Sequence, residues 1–154
     1  RGGAARVTAV DVSEFAVECA RENAARNGLS QVVDCVAANV FDLLPQLQKG
    51  QYDFIILDPP AFTKSRQTTQ RAMAGYKEIN YRAMRLLPRG GYLATCSCSH
   101  FATEELFRKM LHAAAHDAGV QLRQIEARQQ SADHPILWGV EETSYLKFYL
   151  FQVV

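Results

Sequence analysis

One short segment limits the folds that this chain can adopt. Residues 52–57, with the sequence YDFIIL, form an almost continuous apolar run that ends at Asp58, Pro59 and Pro60. A strand cannot continue through two prolines, because proline has a fixed φ and no amide hydrogen. A strand without polar alternation is buried on both faces, which is typical of parallel strands covered by helices. The segment therefore predicts a buried central strand of an α/β protein, with a carboxylate at its carboxyl end.

The rest of the chain alternates short β-rich runs with longer segments of helical periodicity. Strands are predicted over residues 6–11, 32–36, 52–57, 92–96, 120–127 and 145–153. Helices are predicted over residues 14–27, 76–87 and 103–117, with a shorter helix over 40–49 and a loop over 61–72. This alternation predicts a doubly wound sheet with helices on both faces. Ligands of such sheets bind outside the carboxyl ends of the strands. The candidate site positions are therefore Asp11, Asp58 and residues 96–100.

Composition narrows the classes of function. The chain has 154 residues, with 17 Lys and Arg against 16 Asp and Glu, so its net charge of +1 gives no general attraction for a polyanion. Any nucleic-acid contact must therefore be local. No apolar run approaches the roughly 18 residues of a membrane helix, and no leader pattern is present, so a cytoplasmic protein without membrane contact is expected. The chain opens on Arg1 and enters a strand almost at once, so we expect it to be part of a longer protein.

Asp11 ends the first predicted strand and precedes Ser13, which is predicted to cap a helix. An acid at this place in a nucleoside site accepts two hydrogen bonds from the vicinal ribose hydroxyls. Alternatively, Asp11 is an acid near a helix N-terminus that is stabilised by the helix dipole. Its position alone leaves both interpretations open. The glycine-rich loop that precedes such an acid by about 20 residues in dinucleotide-binding proteins is absent from this sequence.

The second strand end combines an acid, two prolines and an aromatic residue. Asp58, Pro59 and Pro60 form a rigid rim that can present a carboxylate and a carbonyl to a planar base. Phe62 follows and can stack on an unpaired base. The alternative is a turn that only ends the strand.

The third strand end, with the sequence TCSCSH over residues 95–100, contains two thiols between a strand and a helix. Amide groups at a helix N-terminus stabilise a thiolate, so the segment is a candidate nucleophile. Alternatively, Cys96 and Cys98 are buried structural cysteines, or they bind a metal with His100, although a second pair of ligands is missing. Cys19 and Cys35 are most simply core residues, and all four cysteines are expected to be free thiols.

Several segments in order resemble one family. The segments are VDVS at 10–13, DPPAFTKS at 58–65, GYKEIN at 75–80, GGYLATCSCSH at 90–100, DHP at 133–135 and YLK at 145–147. They resemble the RlmI-like class I S-adenosylmethionine-dependent ribosomal RNA methyltransferases, which form 5-methylcytosine in large-subunit RNA. The resemblance implies a Rossmann-like doubly wound sheet whose last strand is antiparallel. It also implies that residues 1–154 are part of the catalytic domain, without the family's N-terminal RNA-binding domain, first strand and cofactor loop.

The resemblance also implies roles for individual residues. Asp11 matches the acid that binds the ribose of S-adenosylmethionine, and Asn39 falls where the family often has an acid that meets the adenine amino group. Asp58 matches the acid between the methyl donor and the target base. The nucleophile, by the spacing of related enzymes, is Cys98, seven residues after Gly91, and Cys96 is the second candidate. The expected cofactor-binding residues are Asp11, Val12, Asn39, Val40 and Asp58. The expected substrate-binding residues are Pro59, Pro60, Phe62 and Lys64.

The resemblance therefore predicts methylation of a cytosine C5 in ribosomal RNA through a covalent cysteine adduct. One alternative is a guanine-N2 RNA methyltransferase, for which the DPP motif suffices and no thiol is required. Another is an inactive folded fragment with a structural or interaction role. The expected partner is ribosomal RNA, with phosphates contacted by Lys64, Arg66, Arg71 and Lys77. Without the central first strand, two sheet edges are unpaired, so a homodimer is a further expectation.

Overall fold

The strands form two separate sheets. The computed structural model describes residues 2–62 and 66–154, and only the backbone of Arg66. The chain divides into two units, Arg1–Gln46 and Leu47–Val154. Each unit contains one of the sheets, so each presents its own set of strand ends.

The first unit is a β-α-β segment followed by a short helix. Its elements are β1 (Val7–Asp11), α1 (Glu14–Arg26), β2 (Val33–Ala37) and α2 (Val40–Leu43). β1 and β2 are parallel, and Asp11 pairs with Ala37 at their carboxyl ends. α1 begins after Ser13, whose Oγ accepts a hydrogen bond from the Ala16 amide at 3.3 Å. Pro45 lies in a 3-10 turn after α2, so the helix predicted over 40–49 is much shorter than expected.

The second unit is a four-stranded sheet with two long helices. Its elements are β3 (Phe54–Leu57), α3 (Thr69–Leu86), β4 (Tyr92–Ser97), α4 (Glu104–Ala118), β5 (Leu122–Arg128) and β6 (Lys147–Val153). The strand order is β3-β4-β6-β5. β3 and β4 are parallel, whereas β6 is antiparallel to both of its neighbours. The prediction of an antiparallel last strand is therefore confirmed.

The core of the second unit lies around β4, whose last five residues are all buried. α3 and α4 contact each other, and α3 also contacts β3 and β4. The large buried side chains of the two helices include Tyr76, Ile79, Met84, Phe107 and Leu111. This packing holds the carboxyl ends of β3 and β4 in a rigid setting, which suits a site at those ends.

α3 begins seven residues earlier than predicted. Its first turns, from Thr69, occupy part of the segment 61–72 that was expected to be a loop. Ala72 and Tyr76 lie four residues apart and are both buried, so tertiary packing extends the helix through a polar segment. Within the described part of the chain, no helix is long and apolar enough to cross a membrane.

Candidate active site

The predicted site residues lie at the carboxyl edges of the two sheets. In the first unit, the amide of Ala38 donates to the carbonyl of Asp11 at 2.9 Å, which continues the β1–β2 pairing beyond the strands. Asp11 and Asn39 therefore lie at one edge, which we call the β1–β2 edge. Val12 and Val40 are the residues that directly follow Asp11 and Asn39.

The carboxylate of Asp11 can fill both roles considered from the sequence, the one at the helix N-terminus and the one in ribose binding. Its Oδ1 accepts a hydrogen bond from the Ser13 amide at 2.8 Å, just before α1. The side chain is nonetheless exposed, and a carboxylate has about four acceptor sites in all. Asp11 can therefore support the start of α1 and still accept hydrogen bonds from two ribose hydroxyls.

Asn39 is the N-cap of α2, because its Oδ1 accepts a hydrogen bond from the Phe41 amide at 3.0 Å. An amide oxygen can accept a second hydrogen bond, such as one from an adenine amino group. Val12 is 76% exposed, which is unusual for a valine, and Val40 is half-buried. An exposed carboxylate beside the exposed Val12 and the half-buried Val40 fits the ribose and base of a nucleoside, so the acceptor groups at the β1–β2 edge suit S-adenosylmethionine.

In the second unit, Asp58 follows β3 and Cys98 follows β4. Leu57 and Thr95 pair across these parallel strands, so Asp58 and Cys98 follow their strands at the same edge of the sheet. We call this edge, with its two loops, the β3–β4 edge. Asp58 is exposed, and its negative charge contributes to raising the pKa of the Cys96 thiol and the pKa of the Tyr76 hydroxyl. The acid and the thiol segment are thus in the same electrostatic environment.

The two cysteines of this segment differ in their surroundings. Cys96 is buried within β4. Burial, with smaller contributions from the charges of Asp58 and Cys98, raises the pKa of the Cys96 thiol to about 11. At neutral pH Cys96 is therefore protonated and a poor nucleophile. Cys98 lies outside the strand and is half-buried, so its sulfur is the more accessible of the two.

Tyr76 links the two loops of the β3–β4 edge, a role that was missed from the sequence. This fully buried residue of α3 accepts a hydrogen bond from Ser97 Oγ at 3.1 Å and another from the Phe62 amide. The ring of Phe62 packs against it, with 4.6 Å between ring centroids. Burial is the main cause that raises the pKa of Tyr76. The helical spacing of Tyr76 with Ile79 and Ala83 predicts only that it faces the core.

Lys147 is a second residue that the sequence did not single out for a role. Its ammonium Nζ donates to the carbonyl of Ser99 at 2.6 Å and to that of Tyr145 at 2.7 Å. Burial lowers the pKa of Lys147, while the charges of Cys98 and Glu104 act in the opposite direction. Alternation along β6 was the available signal, because Lys147 shares the buried face of the strand with Tyr149 and Phe151.

The remaining predicted residues that the structure describes lie in the loop after Asp58 and on α3. Pro59 is half-buried and Pro60 is exposed in the loop after Asp58, whereas Lys64 lies outside the described residues. Lys77 is paired with Asp117 at 2.6 Å, so its charge is already compensated. α4 begins at Glu104, six residues after Cys98, and is capped by Thr103. In residues 2–62 and 66–154, no group of His, Cys, Asp and Glu side chains could hold a metal ion.

The fold is that of the class I, S-adenosylmethionine-dependent methyltransferases. One solved structure, described as a methyltransferase in complex with SAH, superposes with a TM-score of 0.83 at 21% identity, covering 99% of this chain and 40% of that chain. A protein from Streptococcus mutans described as SAM-dependent superposes with a TM-score of 0.82 at 22% identity, covering 99% of this chain and 39% of that chain. The predicted fold class is therefore confirmed.

Sequence comparison narrows the class to a family. Residues 1–121 match the family described as methyltransferase small domain, and the chain belongs to this family. The ribosomal RNA large subunit methyltransferase I of Klebsiella pneumoniae (strain 342) is 40% identical over 156 residues, which include 99% of this chain. The chain spans only 39% of that relative's length. The similarity to this group, first indicated by the motifs, is confirmed.

Proposed function

We propose that this chain carries the catalytic chemistry of an S-adenosylmethionine-dependent methyltransferase that forms 5-methylcytosine in large-subunit ribosomal RNA. The observation that carries the proposal is the contrast at the β3–β4 edge. There, a half-buried Cys98 leaves the sheet beside the exposed acid Asp58, while the neighbouring Cys96 is buried and protonated. A methyltransferase of exocyclic amino groups has no need of a thiol at this place. The name of the Klebsiella relative supports ribosomal RNA as the substrate.

The β1–β2 edge would hold the cofactor. Asp11 accepts hydrogen bonds from the two ribose hydroxyls, Asn39 accepts one from the adenine amino group, and Val12 and Val40 contact the faces of the base. When bound, S-adenosylmethionine supplies a methyl group that is activated as an electrophile by its sulfonium charge.

Cys98 supplies the activation that cytosine C5 lacks. Its thiolate forms a bond to C6, the C5–C6 π electrons move toward N3, and N3 takes up a proton, which leaves C5 electron-rich like an enamine carbon. The electron pair of C5 would then form the bond to the methyl group, as the bond between the methyl group and the sulfonium breaks and leaves its electrons on the sulfur. Asp58 accepts a hydrogen bond from the N3–H and stabilises its positive charge once C5 carries the methyl group. The C5 proton then passes to water, and its electron pair restores the C5–C6 double bond. The C6–S bond breaks, its electrons return to the Cys98 thiolate, and N3 releases its proton.

The target base must reach these side chains outside a base-paired stack. Proteins that act on the ring atoms of a base take it from a loop or flip it out of the helix. Phe62 lies in the loop after Asp58 and is half-buried, so the part of its ring that does not pack on Tyr76 is available to the base. We propose that Phe62, Pro59 and Pro60 contact the extruded cytosine.

The experiment uses the protein in its native length with large-subunit ribosomal RNA and S-adenosylmethionine that carries a labelled methyl group. The RNA is digested to nucleosides and the labelled nucleoside is identified by mass spectrometry. We expect 5-methylcytidine, and no label when Asp58→Ala or Cys98→Ala replaces the native protein. Cys19→Ala, which changes a half-buried thiol of α1, is the matched control and retains activity. Label in N2-methylguanosine, or full activity of Cys98→Ala, would refute the proposal.

A further inference from the structure

Lys147 is a buried charged residue that has no role in the chemistry proposed above. We propose that Lys147 is a positioning residue for Cys98, which fixes the loop that carries the thiol and places a positive charge beside it. The proposal rests on the function proposed above, because it takes Cys98 as the nucleophile. It goes beyond that function by adding a residue from the opposite end of the sequence.

The first argument is the geometry of the ammonium group. Lys147 begins β6 and pairs with Ser97 across the antiparallel β4–β6 ladder, one residue before Cys98. Its Nζ donates to the carbonyl of Ser99, the residue after Cys98, at 2.6 Å, and to the carbonyl of Tyr145 at 2.7 Å. Lys147 therefore contacts the backbone on both sides of the cysteine, through the ladder at Ser97 and through its side chain at Ser99.

Ser99 is held at its other end as well. Its amide donates to Ser97 Oγ at 3.4 Å, and Ser97 Oγ in turn donates to the buried Tyr76. Ser99 is 3% exposed, so its backbone groups are bonded in an environment with little access for water. Cys98 thus lies between two residues whose positions are fixed, and Lys147 and Tyr76 hold that pair from different elements.

The second argument is charge. Lys147 is only 8% exposed, and a buried ammonium is costly unless negative charge lies near it. The groups whose negative charge raises its pKa are Cys98, when ionised, and Glu104. Glu104 also accepts a hydrogen bond from the hydroxyl of Tyr149 at 2.7 Å. Opposite charges favour each other's ionised forms, so the ammonium of Lys147 favours the thiolate of Cys98.

Other titratable groups around the segment carry negative charge when ionised, and negative charge disfavours a thiolate. Asp58 after β3 repels negative charge on the sulfur of Cys96, and Cys96 and Cys98 repel each other when both are ionised. The hydroxyl of Tyr76 also interacts with the charge of Cys98. Lys147 is a cation that interacts with the charge of Cys98, so its removal is expected to weaken the nucleophile.

The test measures alkylation of Cys98 by iodoacetamide between pH 6 and 9.5, without RNA or cofactor. A Cys96→Ala background leaves Cys98 as the single thiol of its tryptic peptide, and mass spectrometry follows that peptide. Lys147→Met and Lys147→Gln should slow alkylation at pH 7.5 by about tenfold and move the whole profile to higher pH by about one unit. Lys147→Arg, which keeps the charge, should stay within about threefold of the parent. Lys109→Met, which changes an exposed lysine of α4, should have no effect.

The outcomes separate a charge effect from a purely structural role. An unchanged or faster rate in a folded Lys147→Gln protein would overturn the proposal, and so would an equal loss in the Gln and Arg variants. If Lys147→Met does not fold by circular dichroism, Lys147→Gln decides, because its amide retains two N–H donors for the two carbonyls. Alkylation of Cys19 in the same samples reports general changes in reactivity. If the predicted dependence on Lys147 is found in a protein that methylates only guanine, the proposed function is refuted, and only the effect of Lys147 on the reactivity of Cys98 is retained.

Discussion

At the scale of single residues, Asp11 combines a structural hydrogen bond with an exposed carboxylate. Asp11→Asn keeps an oxygen that accepts from the Ser13 amide, but it removes the negative charge that strengthens hydrogen bonds to ribose hydroxyls. We therefore expect the variant to remain folded and to bind S-adenosylmethionine about tenfold more weakly, measured by calorimetry on the native-length protein. Asp34→Asn is the control, because Asp34 pairs with Arg6 on the surface of the same unit. Equal affinities of native protein and Asp11→Asn would remove Asp11 from the cofactor site.

Tyr76 offers a second prediction at this scale. Tyr76→Phe keeps the ring that packs on Phe62 and Phe107 but deletes the hydroxyl that accepts from Ser97. Because the partners become unsatisfied in a buried place, we expect the free energy of unfolding to fall by about 1–2 kcal/mol in urea titrations. Tyr81→Phe removes a hydroxyl that accepts a hydrogen bond from the exposed Arg85, and it should change this free energy by less than about 0.5 kcal/mol. Similar values for the two variants would show that Tyr76 does not join the loops.

Residue types and their order along the chain predict only part of the candidate site. Asp58 and Cys98 stand out because each follows a predicted strand, and strand ends are where ligands bind in such sheets. The roles of Tyr76 and Lys147 depend on hydrogen bonds to residues 21 and 48 positions away, which local patterns do not contain. Cys96 is more buried than Cys98 because β4 ends at Ser97, between the two cysteines. A strand boundary is not predictable from the sequence to within one residue.

At the scale of elements, the start of β4 depends on Gly91. A Cβ at Gly91 would lie 3.0 Å from the carbonyl oxygen of Pro88 and 3.2 Å from that of Asp53, and both atoms belong to the backbone. Gly91→Ala must therefore displace the entry to β4, and we expect a loss of about 1–3 kcal/mol in the free energy of unfolding. Gly139→Ala, where no atom lies within 4 Å of the added Cβ, should stay within about 0.5 kcal/mol of the native value. A neutral Gly91→Ala would mean that the turn before β4 is easily deformed.

Most helices and strands were predictable because their apolar residues repeat with one clear period. The first and last residues of the six predicted strands differ from those in the structure by at most two positions. β1 ends at Asp11 and β3 ends at Leu57, as predicted. The first turns of α3 were not predictable, since residues 66–71 are polar and only the burial of Ala72 beside Tyr76 reveals the helix face. The antiparallel order of β6 also depends on long-range pairing, and only the family resemblance indicated it.

At the scale of the whole molecule, each unit presents one group of chemically suitable side chains. The Arg1–Gln46 unit carries the carboxylate and valines of the β1–β2 edge, and the Leu47–Val154 unit carries the acid and thiol of the β3–β4 edge. The net charge of +1 provides no general attraction for RNA, so the proposed function requires that local contacts near Asp58 select the target base. The chemistry of Cys98 is therefore the part of the account on which the rest depends.

The most direct measurement of that chemistry is a trap for the covalent intermediate. RNA with 5-fluorocytosine at the target position is incubated with native-length protein and S-adenosylmethionine, and the products are separated under denaturing conditions. Fluorine cannot leave as a proton does, so the C6–S bond should persist after methyl transfer and give a stable protein–RNA adduct. Cys96→Ala should form this adduct, because the thiol of Cys96, with its pKa near 11, is protonated at neutral pH. Cys98→Ala should form none. An adduct with Cys98→Ala that disappears with Cys96→Ala, or no adduct with any variant, would contradict the account.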